Sequence, residues 1–216
     1  MADIARTLDT IMERVRADFA AKNQARETAL PLCREAIRYS ANAIRAVHRH
    51  EYDRARELID KAGAQLKTAR ESLLDHGDIY HAGFVHDSQK EFAEASITLA
   101  VLSGADLPTP ESLEVEDAAW LNGMGEAVGE MRRHLLDTLR GGDVEQCETW
   151  LRAMDDMYSI LVTVDYPDAM TGGLRRTTDS VRGILEKTRG DLTVALRQDS
   201  LEHLLARLEH HFTGDS

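Results

Sequence analysis

The sequence predicts an all-α protein, an antiparallel bundle of about six to seven helices in a single domain spanning residues 1–216. Three observations predict it. The long segments are rich in Ala, Leu, Glu and Arg, and the whole chain of 216 residues holds four prolines; such a composition favours helix over sheet. No stretch sustains a period-two alternation, and no pair of such runs flanks a hairpin turn. Apolar residues recur with helical spacing instead: Leu30, Cys33, Ile37, Ile44 and Val47 keep a seven-residue rhythm. With 43% apolar residues one core suffices, and nothing marks a second.

The first helix is expected over residues 4–49, with a break near Pro31, because an interior proline removes a helical hydrogen bond. A second runs over 52–74 and stops at Asp75-His76-Gly77-Asp78. A third spans 79–102. SGADLPTPES (103–112) is the clearest loop, and within it Thr109 is placed to N-cap a helix with Pro110 at its first position. The fourth helix covers 116–140 and ends at Gly141-Gly142. Asp143, with Gln146 three residues on, is a capping-box start for a fifth helix that runs to 166, before Pro167. Gly172-Gly173 lies in the next connection. The last helix reaches 209, leaving 210–216 as a frayed tail. EYDRARELIDKA resembles one helix of a tetratricopeptide unit, but no second copy follows at about 34 residues, so a repeat array is excluded.

The charge is uneven. The net charge is −12, which argues against a general polyanion binder. Yet residues 1–70 carry a balance of +4 and residues 71–216 a balance of −16. A basic first third on an acidic body is compatible with a local anion-binding face. Cys33 and Cys147 form no CxxC and no zinc-spaced group, so both are expected as reduced thiols in the cytoplasm. The N-terminus has neither a basic-then-apolar signal nor a lipidation motif, and no run is long enough to span a bilayer, so no membrane partner is expected.

Carboxylates supply the candidate chemistry. Residues three or four apart share a helix face. In the third helix Asp87, Glu91, Glu94 and Thr98 form a polar stripe beside an apolar one of Val85, Phe92, Ala95, Leu99 and Leu102. In the fourth, Glu126 and Glu130 lie four apart, among Gly123, Gly125 and Gly129. Each interior glycine costs a helix roughly 1 kcal/mol against alanine, so three in seven residues call for close approach of another chain segment. Two readings stay open on spacing alone: a pair of solvated faces, or four carboxylates gathered round a hard cation such as Mg2+ or Mn2+. A di-iron bundle needs Glu-x-x-His motifs from two helices, and none occurs.

At these residues the chain resembles the translin superfamily, closest to translin-associated factor X and its archaeal relatives. QKEFAEA is similar to that branch's QEYVEA signature, with Glu91 and Glu94 on its two glutamates. WLNGMGEAVGEMRR is similar to YLLGVADLTGELMR, where Glu126 falls on an aspartate, Glu130 on the second acid, and Gly123 and Gly129 on glycines. CREAIRYSANAIRAVHR resembles the superfamily's first-helix pattern, REIIRLSKKAIRLIHR. The similarity covers roughly residues 25–165. It implies an all-helical fold that assembles into a hollow oligomer, either a homo-oligomer or a hetero-oligomer with a translin-like subunit. It also implies binding of single-stranded RNA and DNA and a metal-dependent endoribonuclease site. Carried over by residue, Glu91, Glu94 and Glu126 are the catalytic, magnesium-binding carboxylates and Glu130 a supporting ligand. Two positions depart from the pattern: Glu126 replaces the aspartate, and Lys90 replaces the glutamine before the first acid.

Arg34, Arg38, Arg45 and Arg49 stay within about 60° of one another at roughly 100° per residue, a ridge suited to phosphates of a single strand. The competing reading pairs several of them with glutamates of a neighbouring helix. His86 and Arg133 complete the RNA-contact candidates. Arg45 and His50 also fit a loose R-x4-H pattern of another helical ribonuclease class, but five-residue spacing does not keep both groups on one face. Four Phe, five Tyr and two Trp are few for base stacking, so RNA binding is expected to be backbone-led. Trp120 and Trp150 are expected to pack in helix contacts. The resulting expectation is a Mg2+-dependent endoribonuclease acting on single-stranded RNA. The alternatives are a non-catalytic RNA- and DNA-binding oligomer and a purely structural bundle.

Overall fold

The computed structural model describes residues 4–213. Among them nine helical segments occur and no strand: α1 (Ile4–His48), α2 (Tyr52–Ser72), α3 (Gly77–Tyr80), α4 (Phe84–Ser103), α5 (Pro110–Leu113), α6 (Asp117–Arg140), α7 (Val144–Val162), α8 (Asp168–Thr171) and α9 (Leu174–Thr213). Six are long, and α3, α5 and α8 are single turns. The all-α class is therefore as expected. No helix among the described residues is long and apolar enough to cross a membrane.

Two compact units, Met1–Gly123 and Met124–Ser216, divide the chain, and the boundary falls inside the continuous helix α6. In the first unit α1, α2 and α4 pack on one another. The three residues between α1 and α2 force these two to run antiparallel. Small residues bring the helices close. Ala29, Cys33, Ala69, Leu73 and Val85 form one buried cluster, and Ala36, Ala62, Leu66 and Phe92 form the next. In the second unit Arg132 on α6 reaches α9, donating to Thr188 Oγ1 at 2.9 Å and Asp191 Oδ2 at 2.8 Å. The His134 ring stands edge-on to Trp150 of α7, with centroids 5.3 Å apart.

Three expected boundaries move. α1 passes through Pro31 without a break. Pro31 is exposed while Ala29, Cys33 and Ala36 are fully packed, so burial of the opposite face outweighs the missing hydrogen bond. The single helix expected over 79–102 is split: Gly83, at φ +98°, separates α3 from α4. α7 stops at Val162, and residues 164–167 run outside any helix ahead of Pro167, which disfavours the helical conformation in its predecessor. The last helix continues through Thr213, beyond the expected end at 209, and 214–216 of the expected tail lie outside the described residues.

The capping signals hold. The Asp143 carboxylate accepts from Gln146 N–H at 3.0 Å. Thr109 Oγ1 accepts from Ser112 N–H at 3.1 Å, although the helix it caps is the single turn α5. Trp120 Nε1 donates to the Pro108 carbonyl at 2.9 Å and ties the 103–112 loop to α6. Cys33 and Cys147 are buried and unbridged, and burial pushes both thiols up from their ordinary range.

Candidate metal centre

α4 is buried on nearly all sides. Ser88, Gln89 and every residue from Phe92 to Ala100 are inside. The polar stripe of the third predicted helix is therefore not a wet face. Asp87 is exposed and Glu91 half-buried, but Glu94 is 9% exposed and Thr98 fully buried. A carboxylate that loses its water shell has to be compensated by opposite charge or hydrogen bonds. Spacing alone did not reveal this, because a shared helix face is wet or dry according to what packs on it.

α6 packs on this turn of α4 through Gly123. A Cβ there would stand 2.6 Å from the Lys90 carbonyl oxygen, 2.8 Å from Ala93 Cβ and 2.9 Å from Glu94 N. The backbone of α6 thus rests on the Lys90–Glu94 turn with no room for a methyl group. Glu126 follows three residues along and shares that face. One carboxylate oxygen from each of Glu91, Glu94 and Glu126 then lies within 4.8 Å of the other two.

The flanking charges are defined as well. Lys90 Nζ stands 3.7 Å from Glu91 Oε1. Glu130, one turn further along α6, is not in the three-carboxylate group, and Arg133 Nη1 lies 3.8 Å from its Oε2. The structure thus gathers three of the four expected acids. All three are oxygen donors on rigid helices, a set that fits a hard divalent cation.

The three glycines of α6 separate into different roles. Gly123 makes the contact above. At Gly125 a Cβ would meet Thr177 Cγ2 at 2.3 Å and Val181 Cγ2 at 3.5 Å, so this glycine admits α9. At Gly129 the nearest atom is Ile184 Cδ1 at 3.9 Å, an ordinary contact. Gly129→Ala is accordingly expected to fit and to stabilise the helix by up to about 1 kcal/mol. A thermal melt checks this: a lowered midpoint would show a constraint at Gly129 that the packing does not contain.

The arginine ridge lies exposed along α1. Arg38 pairs with Glu35 and sits over the Tyr39 ring, 5.7 Å from its centroid. Arg45 Nη1 donates to Asn42 Oδ1 at 2.8 Å. Arg49 donates to both oxygens of Glu51, at 2.8 and 3.0 Å. Two of the four therefore spend charge on glutamates, though on their own helix and the link after it rather than on a neighbouring helix. Arg34 is exposed, and His86 is half-buried near the start of α4.

No protein-family model matches the chain. The uncharacterised protein MJ0175 of Methanocaldococcus jannaschii is 28% identical over 192 residues, which span 88% of this chain and 85% of that protein. A solved structure of AfC3PO in complex with duplex RNA is similar at 32% identity and a TM-score of 0.79, covering 87% of this chain and 97% of that one. A crystal structure of AfC3PO gives 31% identity and a TM-score of 0.78 over the same shares. The crystal structure of apo-NeC3PO matches with a TM-score of 0.76 over 85% of this chain and 96% of that one; at 19% identity it speaks for the fold alone.

Proposed function

The chain belongs to the translin superfamily, and from that membership we propose a metal-dependent endoribonuclease that acts on single-stranded RNA through its backbone. The observation that carries the catalytic half is the convergence of Glu91, Glu94 and Glu126 within 4.8 Å. The RNA half is supported by a relative described in complex with duplex RNA.

Glu94 is clamped by burial and α4 is locked to α6 at Gly123, so the three carboxylates offer a preformed set of oxygen donors. Glu130 supports the set from the next turn. Mg2+ or Mn2+ held there supplies Lewis acidity for a water nucleophile and for charge building on the phosphodiester. Arg34, Arg38, Arg45 and Arg49, with Arg133 and His86, are the proposed contacts to phosphate. Because few aromatics are present, the contacts read charge and shape rather than base sequence.

The reading includes self-association, as a homo-oligomer or with a translin-like second subunit. Ile4, Leu8, Ile11 and Phe19 on α1, and Leu201, Leu204, Leu205 and Leu208 on α9, are large apolar residues exposed at helical spacing. Single chains seldom leave such stripes uncovered. The buried, unbridged thiols suit a reducing cytoplasm.

The test incubates end-labelled single-stranded RNA, and its duplex, with the protein in Mg2+, in Mn2+ and in EDTA. Cleavage of the single strand that EDTA abolishes is the expected result. RNA bound but uncut under every condition would replace the enzyme with a non-catalytic binder, and neither binding nor cleavage would leave a structural bundle. Binding itself is expected to weaken with salt, with a slope near 0.7 per phosphate contact on a log–log plot. Arg34→Ala and Arg45→Ala should each lower that slope by about one contact; unchanged slopes in both would remove the α1 ridge from the interface.

A further inference from the structure

We propose that Lys90 is a resident cation of the carboxylate group, which weakens its hold on divalent metal and matches it to a single ion. The inference rests on the metal-centre reading above and concerns a residue that the reading does not use. Lys90 Nζ lies 3.7 Å from Glu91 Oε1, within ion-pair range, with side chains 22% and 30% exposed. Partial burial preserves such a pair from full solvent screening. The residue is also held in place: its carbonyl oxygen is the atom that a Cβ at position 123 would strike, at 2.6 Å. The ammonium is therefore delivered from a backbone pinned under α6.

The charge balance gives the consequence. With Glu130 offset by Arg133, Glu91, Glu94 and Glu126 carry −3 when all are ionised, as metal ligands must be, and the Lys90 ammonium reduces the local charge to −2. One divalent cation cancels that remainder. An uncharged side chain at this position, such as the glutamine of the resembling signature, leaves −3 and a stronger attraction for metal. Lys90 also draws on Glu91, one of the oxygen donors offered to the metal. An ammonium about 4 Å from a bound divalent cation would repel it by about 1 kcal/mol or more even at the dielectric of water, roughly a tenfold effect on binding.

The experiment titrates Mn2+ into the full chain and follows free Mn2+ by electron paramagnetic resonance, with no RNA present. The wild type is expected to bind one Mn2+ per chain, and Glu126→Gln to lose it. Lys90→Gln and Lys90→Met are expected to bind Mn2+ about tenfold more tightly, whereas Lys90→Arg, which keeps the charge, should stay near the wild type. Two uncharged variants guard against one that folds poorly. Wild-type affinity in both uncharged variants would overturn the role of Lys90 and leave the metal centre standing. A wild type that takes up no more Mn2+ than Glu126→Gln would overturn the metal centre itself, and Lys90 with it.

Discussion

Glu126→Gln is expected to lose Mg2+-dependent RNA cleavage by more than about 100-fold while the protein stays folded or gains stability. Residues that merely orient metal ligands cost roughly 10–100-fold when removed, and Glu126 is one of the three carboxylates that converge among the described residues. The stability half follows from repulsion. Two carboxylates less than 5 Å apart repel by about 3 kcal/mol at an effective dielectric of about 20, and by less where, as at Glu126, the side chain keeps some solvent. Neutralising one of three relieves part of that load. The wild type should therefore gain thermal stability when Mg2+ or Mn2+ is added, and Glu126→Gln should gain none. Cleavage at the wild-type rate in Glu126→Gln would sink the catalytic assignment. A mutant that instead unfolds would show that Glu126 has a structural role and is not one of three mutually repelling ligands.

Gly123→Ala is expected to damage both fold and site. The three atoms that its methyl group would meet, at 2.6, 2.8 and 2.9 Å, are a carbonyl oxygen, a Cβ and a backbone nitrogen. None is the movable end of a side chain, so α6 has to lift away from α4. Overpacking of this kind costs about 1–3 kcal/mol, against roughly 1 kcal/mol that alanine returns in helix propensity. The larger effect falls on function, because the same contact sets how near Glu126 comes to Glu91 and Glu94. Gly123→Ala should fold less stably and bind Mn2+ weakly even at temperatures where it stays folded. Gly129→Ala, six residues away on the same helix, is the matched control. Equal stability and equal Mn2+ affinity in the two variants would mean that the close approach at Gly123 does not hold the site together.

Local signals in the sequence translated directly into structure where the physics was local. The Asp143–Gln146 cap, the Thr109–Pro110 start and the close of α6 at Gly141-Gly142 all depend on hydrogen bonds or φ angles within a few residues. Pro31 and Gly83 misled in opposite directions. A proline that ordinarily breaks a helix was carried through by the packed face of Ala29, Cys33 and Ala36. An isolated glycine that a helix tolerates became a boundary once its φ turned positive. The first outcome was decided by neighbours far away in sequence, Ala69, Leu73 and Val85, against which Ala29 and Cys33 pack.

The candidate site divides in the same way. By itself the sequence determined that Glu91 and Glu94 share one helix face, that Glu126 and Glu130 share another, and that glycines crowd the second helix, because 3.6 residues per turn is a property of the chain alone. Only the tertiary structure decided that the face of Glu94 is dry, that Gly123 rather than Gly129 is the point of contact, that three acids close while Glu130 stands with Arg133, and that Lys90 joins Glu91. The reason is physical. Spacing along a helix is fixed by its own hydrogen bonds, whereas the distance between two helices is fixed by the smallest residue at their contact, and no periodicity in a sequence says which residue that will be.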